Sequence, residues 1–202
     1  SLAELMKDAK DLGLEMFLLD DGWFGNKHPR KDDRAGLGDW QPNRQKLPGG
    51  IGALTQAART AGVKFGLWIE PEMVNLQSLD LLALLLLVYN PQSELYERHR
   101  DWIIEQSNRD AYLFRHQLVL DLSNPKVQDY IYGIVDRLLT ENPDIAYFKW
   151  DCNSPITNAY SPWLKTHQGN LFIDYVRGLY TVLKRIQAKY PDLPMMLCSS
   201  GG

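Results

Sequence analysis

The chain has two cysteines among its 202 residues, Cys152 and Cys198. Two cannot build a disulfide-stapled scaffold, and their spacing matches no zinc motif, so a reducing, cytoplasmic setting is expected. Neither sign of charge dominates: 22 basic and 25 acidic side chains are interspersed and give a net charge of -3. With no basic stripe and no polyanionic block, nucleic acid is not an expected partner. The four histidines, His28, His99, His116 and His167, lack ligand spacing, so no metal is expected. No apolar run leads into a glycine-rich phosphate or dinucleotide fingerprint, so no cofactor is expected either. The closing Cys198-Ser199-Ser200-Gly201-Gly202 has the wrong order for a serine-hydrolase elbow. An apolar block at 76–89, containing Leu81-Leu82-Ala83-Leu84-Leu85-Leu86-Leu87-Val88, falls short of the roughly 20 residues a membrane-crossing helix needs. It reads instead as a buried or partner-covered helix, and no membrane partner is expected. The first 13 residues form an amphipathic helix pattern rather than a signal peptide.

What is present is regular order. Hydrophobic residues make up 45% of the chain, enough for the core of one domain. Short apolar runs at 14–19, 63–69, 117–120, 145–148 and 194–197 read as strands. Helical patterns at 2–12, 51–60, 92–107, 126–140 and 170–189 fall between them, the alternation of a parallel α/β protein. Gly13 and Gly62 are natural helix stops, and Ser123 or Asn124 can cap a helix whose first position is Pro125. The segment 24–48 is rich in Gly, Asp, Pro, Lys and Arg and has no period. Loops of that length are uncommon unless functional.

Polar residues recur just past the strand ends: Asp20 and Asp21, Glu70 and Glu72, Asp121, Asp151, Ser199. In a barrel such ends converge on one mouth, and acids from so many separate strands favour a barrel over an open sheet. The cluster Lys149-Trp150-Asp151-Cys152-Asn153 is costly to bury unless it binds something. Lys149 and Asp151, two apart on a strand, point the same way, so an ammonium stands beside a candidate nucleophilic carboxylate; a structural Lys–Asp pair is the plainer alternative. Asp20 and Asp21 face opposite ways in a strand, but in a turn both can reach sugar hydroxyls. Trp23, Trp40, Trp68 and Trp150 suit the apolar faces of a sugar and equally suit a core. Arg115 can donate a forked hydrogen bond to hydroxyls or to a carboxylate.

Six segments in order resemble the α-galactosidases of glycoside hydrolase family 36. They are Phe17-Leu18-Leu19-Asp20-Asp21-Gly22-Trp23-Phe24-Gly25, Leu37-Gly38-Asp39-Trp40, Lys64-Phe65-Gly66-Leu67-Trp68-Ile69-Glu70-Pro71-Glu72-Met73-Val74, Gln117-Leu118-Val119-Leu120-Asp121, Lys149-Trp150-Asp151-Cys152-Asn153 and Cys198-Ser199-Ser200-Gly201-Gly202. The resemblance implies a (β/α)8 barrel that cleaves terminal α-galactosyl residues with retention, without a metal, often as a homotetramer. It puts the nucleophile on Asp151 and galactose binding on Asp20, Asp21, Trp68, Arg115, Lys149, Asn153 and Cys198. It puts the general acid/base on an aspartate downstream of Gly202, one barrel strand before Ser1 and two after Gly202. The chain is then expected to hold strands two to six of eight and, assayed alone, to turn over very little substrate. The block at 76–90 reads as an insertion relative to the family. Two other functions remain open: an α-galactosyltransferase of the raffinose synthase type, and a non-catalytic carbohydrate-binding fragment.

Overall fold

In the computed structural model the described residues are 1–76, 93–106, 108–110, 113–153 and 155–199. Helix α1 (Leu2–Asp11) opens on a capping box, in which the Ser1 hydroxyl accepts from the Glu4 amide and the Glu4 carboxylate reaches back to the N-terminus. It buries Met6 and Ala9, and the chain then enters strand β1 (Met16–Leu19). Helix α2 (Gly50–Ala61) stops where Gly62 takes the left-handed conformation that a side chain disfavours, and β2 (Lys64–Ile69) follows. Helix α4 (Pro125–Glu141) is introduced by the cap foreseen from its sequence: Asn124 accepts from the Lys126 amide, and Pro125 takes the first position, where a missing N–H costs nothing.

Strands β1, β2, β5 (Ile145–Asp151) and β6 (Met195–Cys198) form one parallel sheet in that order. Helices α2, α4 (Pro125–Glu141) and α5 (Leu171–Lys189) lie between successive strands, the arrangement of part of a (β/α)8 barrel. The core is continuous beneath the sheet. It joins Phe65, Leu67 and Ile69 of β2 and Phe148 and Trp150 of β5 to Ile131, Ile134, Val135 and Leu138 of α4 and Val182 and Ile186 of α5.

Two expectations need correction. The run at 117–120 is not a barrel strand. Strand β4 (Gln117–Val119) pairs antiparallel with β3 (Met73–Asn75), while β2 pairs directly with β5, Leu67 opposite Phe148. The parallel sheet among the described residues therefore has four strands, not five. The reason lies at Glu70-Pro71-Glu72. Proline has no N–H to continue a ladder, so the chain turns there and comes back as β3. The expected helix over 92–107 is also shorter. Helix α3 spans Glu94–Arg98, one tight turn follows at Arg100–Trp102, and Ile103 is already extended, bridged to Leu120. Backbone pairing with the 117–120 segment replaces the helical bonds, since Ile104 N–H donates to Val119 O at 3.0 Å. Gln92 and Ser107, and residues 77–90 of the apolar block, lie outside the described residues.

The loop over 24–48 is anchored from within and from afar. The Asn43 amide donates to Trp23 O at 2.8 Å, and the Gly25 amide to Gln41 O at 2.9 Å. Asp39 caps α3, accepting from the Glu94 and Leu95 amides at 2.8 and 3.1 Å. Buried Asn75 accepts from Leu37 N–H at 2.7 Å and donates to the carbonyls of Asp33 and His116. Loop, β3 and the turn before β4 are thereby fixed to one another.

Candidate active site

The C-terminal ends of β1, β2, β5 and β6 meet at one mouth. Asp151, the last residue of β5, is 8% exposed. Its Oδ2 accepts from the Trp68 indole Nε1 at 3.2 Å, and its Oδ1 accepts from the Cys152 amide at 3.1 Å. Trp68 is in turn held by Trp23, whose Nε1 donates to Trp68 O at 2.9 Å. Trp23, Phe24, Trp40 and Trp68 pack ring against ring, and all four are buried. These tryptophans are core, and Trp68 meets the site through its indole edge.

Lys149 does not bond Asp151 directly. Its ammonium donates to Asp20 Oδ2 across the sheet at 3.1 Å. Burial works against that charge, but Asp20 first, then Asp151 and Cys198, raise the lysine above its ordinary value. The partly buried Cys198 stands opposite Asp151 in the register, and Cys198 O accepts from the Cys152 amide at 2.9 Å.

Asp21 faces away from this pair toward Arg30. The fully buried guanidinium of Arg30 grips Asp21 through Nε, at 3.0 and 3.1 Å, and through Nη2, at 2.8 Å; the same Nη2 reaches Asp33 Oδ1 at 2.9 Å. Arg115 closes the chain with a fork onto Asp33, both bonds 3.1 Å. Asp33 sits below the usual carboxylate range: burial opposes the shift, and Arg115 with Arg30 outweighs it. Arg115 is raised by Asp33 foremost, with Glu70 and Asp151 adding to it, so its charge is felt at the mouth. Arg115 and His116 both hold left-handed backbone, at φ 54° and 57°, uncommon for residues with a Cβ.

Two buried carboxyl groups from the turn after β2 bond residues that flank Asp151. Glu70 Oε1 accepts from both the amide and the side-chain Nδ2 of Asn153, at 3.0 and 2.8 Å, and Oε2 accepts from Gln117 Nε2 at 3.3 Å. Desolvation, with Asp151 adding to it, pushes Glu70 up to about 7 against the pull of the Asn153 bonds. Glu72 Oε1 accepts from Trp150 Nε1 at 2.7 Å, while Oε2 takes the Tyr175 hydroxyl of α5 and faces Cys152 Sγ at 3.7 Å. Burial raises Glu72 as well, and pushes the Cys152 thiol and the Tyr175 hydroxyl up.

The structure thus brings Asp151, Trp68, Lys149, Asp20, Asn153 and Cys198 together, and links Asp21 and Arg115 through Arg30 and Asp33. Asp121, counted among the strand-end acids, is elsewhere. It follows β4, outside the parallel sheet, and is engaged by the hydroxyls of Ser123 and Ser161. Arg30, Asp33 and Tyr175 were not singled out in the sequence. Arg30 and Asp33 sit in an aperiodic charged loop, and Tyr175 in an ordinary apolar helix face. Among the described residues no group of three or more His, Cys, Asp or Glu is placed to hold a metal ion, and no helix is long and apolar enough to cross a membrane.

Comparison with known proteins agrees with this arrangement. The Melibiase family matches residues 1–84 and 86–202. The chain is 40% identical over 202 residues to the α-galactosidase AgaA of Geobacillus stearothermophilus, covering all of this chain and 25% of that protein. It is 38% identical over 202 residues to the bifunctional α-galactosidase/sucrose kinase AgaSK of Mediterraneibacter gnavus, covering all of this chain and 19% of that protein. The crystal structure of AgaA, described as a GH36 α-galactosidase, superposes with a TM-score of 0.87 at 39% identity, over 100% of this chain and 26% of that one. The α-galactosidase of Lactobacillus brevis gives 0.86 at 38% identity, over 98% of this chain and 24% of that one. The chain spans about a quarter or less of the length of these relatives. A family match over nearly every residue, joined to a parallel sheet with its acids at one mouth, establishes that this chain belongs to the melibiase family.

Proposed function

We propose that the protein carrying this chain is a retaining α-galactosidase that removes terminal α-galactosyl residues from oligosaccharides such as melibiose and raffinose. The 202 residues then form part of its catalytic barrel. The observation that carries the reading is Asp151, a carboxylate at the end of a central strand, aimed by an indole and flanked by Lys149, Asp20 and Asn153. Variants of AgaA have been crystallised in complex with raffinose and with stachyose, which supports the substrate class.

In this mechanism Asp151 attacks the anomeric carbon as the bond to the leaving oxygen breaks. A second carboxyl group protonates that oxygen, then deprotonates the water that frees Asp151. Retention requires the two groups to stand about 5–5.5 Å apart. The family resemblance puts the second group on an aspartate following Gly202. Glu70 has an acid's affinity for a proton but not the access, since it is fully buried behind Asn153 and Gln117. Asp20, Asp21, Trp68, Arg115, Lys149, Asn153 and Cys198 bind the sugar. Asp20 and Lys149 suit this role best, because a partly exposed ion pair at the mouth offers both acceptors and donors to hydroxyls. The same reading makes the full-length protein a homo-oligomer of the cytoplasm, in keeping with the free thiols of Cys152 and Cys198.

The test is Asp151→Gly in the full-length protein, assayed on an aryl α-galactoside. Activity should fall roughly 10⁴-fold or more, and added azide should restore turnover with β-galactosyl azide as product. A variant that still hydrolyses the substrate, or that azide cannot rescue, would sink the assignment.

A further inference from the structure

The Glu70 side chain has no route to the substrate, yet it makes three hydrogen bonds that converge on one neighbour of Asp151 and one residue of β4. Both donors of Asn153 that it accepts, the main-chain amide and Nδ2, are on the residue two beyond the candidate nucleophile. Binding both to a single oxygen fixes the backbone and the side-chain rotamer of Asn153 at once. It also fixes which end of the amide stands toward Glu70, and therefore on which side the carbonyl stands.

A second observation concerns Gln117. Its Nε2 donates to Glu70 Oε2, while its buried Oε1 has no hydrogen-bond partner among the described residues. A buried acceptor left unmatched costs about 1–3 kcal/mol, unless the group it faces can donate. Glu70 can do so when it carries a proton. Turned over, the Gln117 amide would then accept that proton at Oε1. Burial, which pushes Glu70 up to about 7, makes the protonated form accessible.

We propose that Glu70 is a positioning residue for galactose binding: it acts through Asn153, by hydrogen-bond acceptance at Oε1, and its negative charge is dispensable. The inference rests on the galactosidase reading, in which Asn153 touches the sugar. It differs from a merely structural role because it separates reach from charge. Glutamine at position 70 keeps the carbonyl acceptor for Asn153 and, with the Gln117 amide turned over, supplies a donor for Gln117 Oε1. Aspartate keeps the charge but is one methylene too short to reach both donors.

The experiment compares Glu70→Gln and Glu70→Asp in the full-length protein, by galactose titration and by KM and kcat on an aryl α-galactoside, with thermal midpoints measured alongside. Glu70→Gln should bind galactose within about twofold of wild type. Glu70→Asp should raise Kd and KM by about tenfold or more, the scale of one unmatched buried donor, while kcat changes less. Combined with Asn153→Ala, Glu70→Asp should add little further loss, because both act on one contact. Glu70→Leu, which keeps the volume and removes the acceptors, serves in place of Glu70→Asp should that variant not fold. Wild-type Kd in Glu70→Asp, or an equal loss in Glu70→Gln, would overturn the role of Glu70 alone. Absence of galactose binding by the wild type would instead overturn the galactosidase reading.

Discussion

Tyr175→Phe measures what one hydroxyl contributes to the buried Glu72 cluster that holds Trp150 and Cys152 on either side of Asp151. The Tyr175 hydroxyl donates to Glu72, a carboxyl group only 1% exposed that also takes Trp150 Nε1 and faces Cys152 Sγ. Phenylalanine keeps the ring and its packing, so the substitution removes a donor and little else. A hydrogen bond to a charged group contributes about 1.5–3 kcal/mol, and one between neutral groups about 0.5–1.5. With Glu72 ionised, the expected loss is about 2 kcal/mol. For a domain of this size that lowers Tm by about 4–8 °C.

The pH dependence has a definite sign. Desolvation raises Glu72 above the usual glutamate value, against the bonds from Tyr175, Trp150 and Cys152. The folded protein then holds this proton more tightly than the unfolded chain. Glu72's contribution to stability is fully present below its unfolded value and is lost as pH rises through the folded one. Removing the Tyr175 hydroxyl removes a contact that favours the carboxylate, so it raises Glu72 further and deepens the loss at higher pH. The Tm gap between wild type and Tyr175→Phe should therefore be smallest near about pH 4 and widen toward neutrality. Thermal unfolding of both proteins, followed by circular dichroism across that range, measures it. A gap that is constant with pH, or widest in acid, would refute the argument.

Other substitutions test other parts of the site and its frame. Lys149→Met should cut kcat/KM on an aryl α-galactoside by about 100-fold or more, while costing about 1 kcal/mol or less of stability, because its ion pair with exposed Asp20 is solvated; denaturant titration beside the assay separates the two effects. Asp39→Asn removes an acid that desolvation, ahead of its other influences, pushes up to about 6. Asp39's contribution is present below its ordinary value and is lost by about pH 6, so the stability of wild type relative to Asp39→Asn should fall over that interval in pH-dependent unfolding curves. Gly178→Ala places a methyl group onto the Leu122 carbonyl, where α5 packs against the segment leading into α4. It should destabilise by about 3 kcal/mol or more despite alanine's higher helix propensity, and an unchanged Tm would refute the close approach.

Much of the site could be read from the chain because its chemistry sits where patterns change. Asp151 and Lys149 break an apolar run at its end, and Asp20 does the same after β1, so period alone locates them. The cap at Asn124 and the stop at Gly62 are equally local. What stayed hidden depends on partners far away in sequence. The 117–120 run is short and apolar, as a barrel strand would be, and nothing within it says that its partner is β3 rather than β2. Arg30 is one basic residue among several in an aperiodic loop until folding buries it between Asp21 and Asp33. Gly178 resembles any weak point in a helix until α5 meets Leu122. The Glu70–Asn153 bonds join residues 83 positions apart.

The placement of the hidden groups also bears on how the visible ones work. Glu70 and Glu72 come from a single turn and engage the residues on either side of Asp151, Glu70 through Asn153 and Glu72 through Trp150 and Cys152. Burial raises both glutamates, and their hydrogen bonds go to protein donors rather than to solvent. The cationic groups at the mouth, Lys149 and Arg115, point outward to Asp20 and Asp33 and leave their fields acting on the Asp151 carboxylate. The same turn that takes the chain out of the barrel at Pro71 thus supplies the buried, hydrogen-bonded support for the candidate nucleophile at the end of β5.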